Sequence, residues 1–164
     1  MSTALRKLLV ASIVCAAASA HAGDLLKLDI SGNISPDIAG PDKIYHFSRA
    51  DLLGLPVYSI QTSTNWTSTE LWEGPRLMDV LEKAGMRGAT IRVVAYDDFS
   101  QEIPVSFIRQ YQPILAYREN GRELRLDDFG PLFIIFPRDR YPDILGTIRN
   151  TRRFVFQVRS IEVK

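Results

Sequence analysis

One cysteine and two histidines are all that these 164 residues hold. The cysteine, Cys15, and one histidine, His21, lie in the first twenty-odd residues, within a leader-type segment. Beyond Ala22 the chain has no thiol for a disulfide, a thiolate nucleophile or a thiolate–metal bond, and its one histidine is His46. That inventory excludes a zinc or iron site built from His and Cys. No G-x-S-x-G elbow is present, so a Ser-His-Asp hydrolase has neither its nucleophile turn nor a choice of base. Charge of one sign is also scarce. Twenty Lys and Arg, less Arg6 and Lys7 in the leader, face nineteen Asp and Glu. A near-neutral chain gives no argument for nucleic acid as a partner. There is no internal repeat, no low-complexity segment and no linker to a second domain.

The leader itself reads as a signal peptide over 1–22. Arg6-Lys7 is a positive n-region, Leu8–Ala18 an apolar h-region, and Ala20-His21-Ala22 an A-x-A cleavage site. The apolar run is too short for the roughly 20 residues that span a bilayer. The expectation is a periplasmic product starting at Gly23 and forming one domain over 23–164.

Several strands are legible by alternation. They are Asp24–Gly32, a short piece at Tyr45–Phe47, Val57–Thr62, Ser68–Trp72, Thr90–Tyr96 and Gln101–Ile103. Ile114–Arg118 and Arg122–Leu126 flank Asn120-Gly121, a two-residue hairpin signal. LFIIF after Gly130-Pro131 has the continuous apolar character of a buried strand, and Phe154, Phe156 and Val158 open a closing strand that runs to Val163. Ser48 with Asp51 three residues on predicts a capped short helix through Leu53. Pro75–Ala84 carries Leu77, Val80 and Leu81 on one stripe, with Gly85 placed to end the helix. One or two helical turns are expected at Pro104–Gln110 and a helix around Ile144–Arg149. Strands dominate with a few short helices between them, an α+β pattern built on a mixed sheet or sheet sandwich.

The centre of the chain is Val57–Pro75, VYSIQTSTNWTSTELWEGP. A strand runs into small hydroxyl and amide side chains, Thr62, Ser63, Thr64 and Asn65, and then Trp66. Such groups beside an indole suit a flat polar heterocycle, which stacks on the ring while hydroxyls and amides meet its edge. The plain alternative is a polar loop over a core tryptophan. Trp72, before Gly74-Pro75, reads as core.

LWEGPRLMDVLEKAG, VVAYDDFSQEIP, ILAYRENGRELRLDDFGPLFIIFP and the closing SIEV, in that order, resemble the molybdopterin-binding domain of the sulfite oxidase family over roughly 48–164. The resemblance implies that family's α+β fold, and it is strongest with small, secreted, cysteine-free bacterial members. In catalytic members a cysteine sulfur binds molybdenum. Its matching place here is Thr62 or an immediate neighbour, none of them a soft ligand. The resemblance therefore implies a pterin-binding protein of the periplasm, similar to partners of inner-membrane proteins that control cyclic-di-GMP. No metal is expected, and a molybdopterin is the lesser possibility. The alternative is a molybdopterin-dependent oxidoreductase without the usual cysteine.

Asp97 and Asp98 stand where the family has an acidic turn. A carboxylate there accepts two parallel bonds from the 2-amino and N3–H edge of a pterin, or serves the turn itself. Arg138, Arg149 and Arg152, with Arg140 and Arg153 near them, come after the buried strand, as the family's polar-end loop does. They read as holders of a phosphate or side-chain hydroxyl, as a solvated face paired with Asp139 and Asp143, or as a docking surface for an acidic loop. Tyr45, Tyr111 and Tyr141 are candidates for pocket walls or for core and rim positions. The ligand-binding candidates are thus Thr62, Thr64, Asn65, Trp66, Asp97, Asp98, Tyr111, Arg138, Arg149 and Arg152, with no catalytic residue.

Overall fold

The computed structural model describes residues 25–164, so the expected leader and its cleavage site lie outside the described residues. The strand expected from Asp24 begins later, as β1 (Leu28–Gly32), although Leu26 ahead of it is already buried. β2 (Tyr45–Phe47) pairs antiparallel with it. His46 on β2 is clamped between two carboxylates, Nδ1 at 2.7 Å from Asp29 and Nε2 at 2.8 Å from Asp42. The Asp42 bond, then the Asp29 bond, raise its pKa. That clamp joins a strand to a loop and gives His46 a structural role.

α1 (Arg49–Leu53) starts on the expected capping box. Ser48 Oγ accepts from Asp51 N at 3.2 Å, and Asp51 Oδ2 accepts from Ser48 N at 3.0 Å. Two otherwise unpaired amides are satisfied at once. Ser48→Ala should lower the unfolding free energy by about 1 kcal/mol. A urea melt checks this, and no change in midpoint would mean that water replaces the cap.

β3 (Tyr58–Thr62) and β4 (Glu70–Gly74) form an antiparallel pair, and β4 starts two residues later than the alternation suggests. Ser68 donates to Glu70 and Thr69 to Asp139, and these side-chain bonds draw the two residues out of the ladder. β4 ends on Gly74, where a Cβ would lie 2.1 Å from the Leu115 carbonyl oxygen, so only glycine permits the approach. α2 (Leu77–Lys83) buries Leu77, Val80 and Leu81 as its stripe requires. Gly85 comes next with φ +66°, the left-handed conformation expected there.

β5 (Thr90–Ala95) and β6 (Ser100–Pro104) are joined by the Asp97–Phe99 turn, and α3 (Val105–Tyr111) lies directly after β6. β7 (Ile114–Ala116) precedes the hairpin of β8 (Arg118–Glu119) and β9 (Arg122–Glu123). Asn120 and Gly121 both have positive φ there, as a primed turn demands. β10 (Phe133–Ile135) is the buried apolar strand. A single 3-10 turn at Arg138–Arg140 leads to two short helices, α4 (Pro142–Leu145) and α5 (Ile148–Thr151), where one helix was expected. They are separated at Gly146-Thr147, where Thr147 is extended and its hydroxyl, with the Asn150 amide, bonds back to the Ile144 carbonyl.

The closing strand is β11 (Val158–Val163), shorter than expected. Phe154–Phe156 stays outside its ladder because Gln157 takes φ +53° and turns the chain. The sheet order is β2-β1-β11-β5-β6, with β1 and β11 parallel and the rest antiparallel. An antiparallel sheet β3-β4-β8-β9 and the pair β10-β7 complete the layers. The α+β class with a mixed sheet is what the sequence pattern implies. Among the described residues no helix is long and apolar enough to cross a membrane.

Candidate functional site

The loop between β3 and β4 is held from below and from the side. Below it, Trp72 is fully buried and its indole N–H donates to the Thr62 carbonyl at 3.1 Å. The Thr62 hydroxyl, also fully buried, accepts from the Asp139 amide at 3.0 Å. From the side, the Asp139 carboxylate takes Ser63 N at 2.9 Å, Ser63 Oγ at 2.5 Å and Thr69 Oγ1 at 2.9 Å. Within the loop, Thr64 Oγ1 accepts from the amides of Trp66 and Thr67 at 3.1 and 3.0 Å. This hydroxyl-rich run is therefore a self-bonded turn, which is why it needs small polar residues.

Desolvation works to raise the Asp139 pKa. The Ser63 hydroxyl and amide, Thr69 and the Arg138 charge outweigh it and hold the carboxyl below its ordinary range. A depressed carboxylate contributes stability that is complete above its unfolded pKa and lost as pH falls through the lower folded value. The clip should thus hold down to the ordinary carboxylate range near 3.8 and open below it. The Trp66 indole N–H resonance should report that opening. In Asp139→Asn the acid transition should vanish and the loop amides should exchange faster at neutral pH. An unchanged acid transition in that variant would assign it to another group.

What the clip presents is Trp66. Its ring packs on Phe156 at 5.2 Å and Phe133 at 6.2 Å between centroids, yet the residue stays 49 % exposed. It forms one wall of a cavity of about 290 Å³, with Asn65 beside it. Ala95, Asp97 and Phe99, at the β5–β6 turn, also line it. Thr151 and Arg152, with Phe154, Val155 and Phe156 after them, complete the lining. The lining is chiefly apolar and aromatic, with one carboxylate, one guanidinium, one amide and one hydroxyl. An apolar surface with a few convergent polar groups is the usual lining of a small-molecule site. Asp97 spends one oxygen on the Phe99 amide at 3.0 Å, so it serves the turn and the cavity together. A narrow cleft shares Asn65, Thr151 and Phe154 with this cavity and adds Thr64 and Arg138.

Of the ten candidates, the structure brings together Asn65, Trp66, Asp97 and Arg152, with Thr64 and Arg138 in the cleft that shares Asn65. Thr62 is sealed in the floor. Asp98 has φ +66° and turns its carboxylate to Arg159 at 2.6 Å. Arg149 lines neither space, and its charge helps lower the pKa of Arg153, whose burial is the larger cause. Tyr111 lies elsewhere, packed edge-on against Tyr141 at 5.3 Å and lining a separate cavity. Sequence reasoning missed Phe99, Thr151, Phe154 and Phe156 as lining residues. The alternating phenylalanines were visible, but an extended strand was the natural home for them. One of the three readings of the basic group paired Asp139 with arginines, whereas its hydrogen bonds go to Ser63 and Thr69.

No group of three His, Cys, Asp or Glu is placed to hold a metal among the described residues. Thr62 has no sulfur to offer a metal, and its hydroxyl is already bonded to the Asp139 amide.

A model of the family described as the oxidoreductase molybdopterin binding domain matches residues 46–139. Among solved structures, the sulfane dehydrogenase SoxCD from Paracoccus pantotrophus is similar, with TM-score 0.59 and 19 % identity. The match covers 84 % of this chain and 37 % of that one, so this chain spans well under half of that relative's length. At that identity the likeness is one of fold. No curated protein matches the chain.

Proposed function

Because the chain belongs to the oxidoreductase molybdopterin-binding domain family, we propose that it binds a pterin in the Trp66 cavity as a recognition protein rather than an enzyme. The observation that carries this reading is the half-exposed indole held rigid beside Asp97 and Arg152. A pterin would stack on Trp66, offer its amino edge to Asp97, and point its polar end toward Arg152, with Asn65 and, behind it, Arg138 alongside. When bound, a molybdopterin would supply redox chemistry through its metal. The chain's own part is to stack, orient and screen the ring from water.

Under this reading the protein works in the periplasm after losing residues 1–22. It reports its occupancy to the periplasmic domain of an inner-membrane protein that controls cyclic-di-GMP. Two features support that role. The leader pattern supports export. α5 lines the cavity through Thr151 while Ile148, three residues earlier, is 81 % exposed, so one element touches both ligand space and solvent. Nothing in the charge balance favours nucleic acid.

The family name and the sulfane dehydrogenase likeness favour a second reading, a molybdopterin-dependent oxidoreductase without the usual cysteine. Mass spectrometry and elemental analysis of protein purified from its native periplasm separate the two. A metal-free pterin is the expected result. One molybdenum per chain with turnover would install the second reading, and a protein carrying no pterin and binding none would end both.

A further inference from the structure

A second cavity, about 350 Å³, opens beside β3 and the Arg138–Arg140 turn and shares no residue with the Trp66 cavity. Its wall differs in kind. Arg76 and Arg140 line it with Tyr58, Tyr111 and Tyr141, and no Asp or Glu contributes. Neither arginine makes an ion pair among the described residues. Each guanidinium instead lies over a ring, Arg76 at 4.1 Å from the Tyr58 centroid and Arg140 at 5.5 Å from that of Tyr141. Stacking occupies the flat face of a guanidinium and leaves its N–H edge free. Two cations are therefore ordered at one concave site with their donors unspent. Asp139, next to Arg140 in the chain, spends its carboxylate on Ser63 and Thr69, and Asp79 and Glu82 line a different cavity that shares Arg76 and Gln112 and adds Arg109.

We propose that this cavity is a binding site for a small molecule carrying an oxyanion, a phosphate or a carboxylate, on an aromatic body. Arg76 and Arg140 supply the N–H donors, since a planar fork matches the paired oxygens of either group. Tyr111 and Tyr141, already edge-to-face with each other, offer rings for the apolar body. α2 and α3 are too short to contribute a terminal field of their own, so the charge at this site is side-chain charge.

The test is an NMR titration of the purified protein at low salt, with phenyl phosphate in one arm and benzoate in the other. Saturable shifts at Tyr111, Gln112 and Tyr141, with Kd below about 1 mM in at least one arm, are expected. The tighter arm names the oxyanion. Arg76→Gln and Arg140→Gln should each weaken binding about tenfold. Arg140 is exposed, so the Arg140→Gln variant stays readable if Arg76→Gln folds poorly. The absence of saturable shifts in both arms would overturn the site. So would unchanged affinity in a folded arginine variant, or shifts clustered at Trp66 instead.

Discussion

Trp72→Ala is expected to cost about 3–5 kcal/mol of folding free energy, the range for emptying a large aromatic position in a core. Trp72 is fully buried, with its ring edge-to-face against Phe133 at 5.2 Å and Phe129 at 6.3 Å. Its indole N–H bonds the Thr62 carbonyl, so truncation leaves both a void and an unpaired buried acceptor. The damage should spread upward, because Thr62 anchors the Asp139 amide and Asp139 clips the loop. Equilibrium urea unfolding measures the loss. A change under about 1 kcal/mol would mean that Phe129 and Phe133 collapse into the gap and that the cluster is softer than its geometry suggests.

Trp66→Ala should behave in the opposite way. Half of that residue is already in water, so stability should fall little, while affinity for a pterin should drop by about 5- to 150-fold. That range converts a stacking contribution of about 1–3 kcal/mol, by analogy with bases on aromatic side chains. Calorimetric titration with an oxidised and a reduced pterin, on variants checked by circular dichroism, tests the pair. A folded Trp66→Ala protein that binds as tightly as the parent would leave the loop as scaffold and remove the basis of the proposed function.

The contrast between these two tryptophans was partly legible. Trp72 closes an alternating strand just before Gly74-Pro75, so its burial was readable from local rules. Other local rules held equally well, in the Ser48–Asp51 cap, the Gly85 terminator and the Asn120-Gly121 turn. Each is decided by a few neighbouring residues. Failures came where a distant partner decides. Ser68 and Thr69 have strand-like neighbours, but Thr69 and the loop before it answer to Asp139, seventy positions on in the case of Thr69. The 144–149 helix breaks because Thr147 and Asn150 side chains claim a backbone carbonyl. Gln157 adopts a left-handed conformation that nothing in the alternating phenylalanines announces. The site was blurred for the same reason. Spacing alone cannot say that Asp98 turns to β11 or that α3 carries Tyr111 to a different cavity, since both depend on how sheet and helices dock.

The parallel pairing of β1 with β11 has a kinetic consequence. Asp29 pairs with Ser160, and β11 also pairs with β5, so the strand synthesised last of those described sits in the middle of the sheet. Contacts between residues so far apart in sequence close slowly. Until β11 is in place, β1 and β5 each offer a bare ladder edge to any other extended chain. A truncation before Val158 would leave both edges bare for good, and such a chain is expected to aggregate.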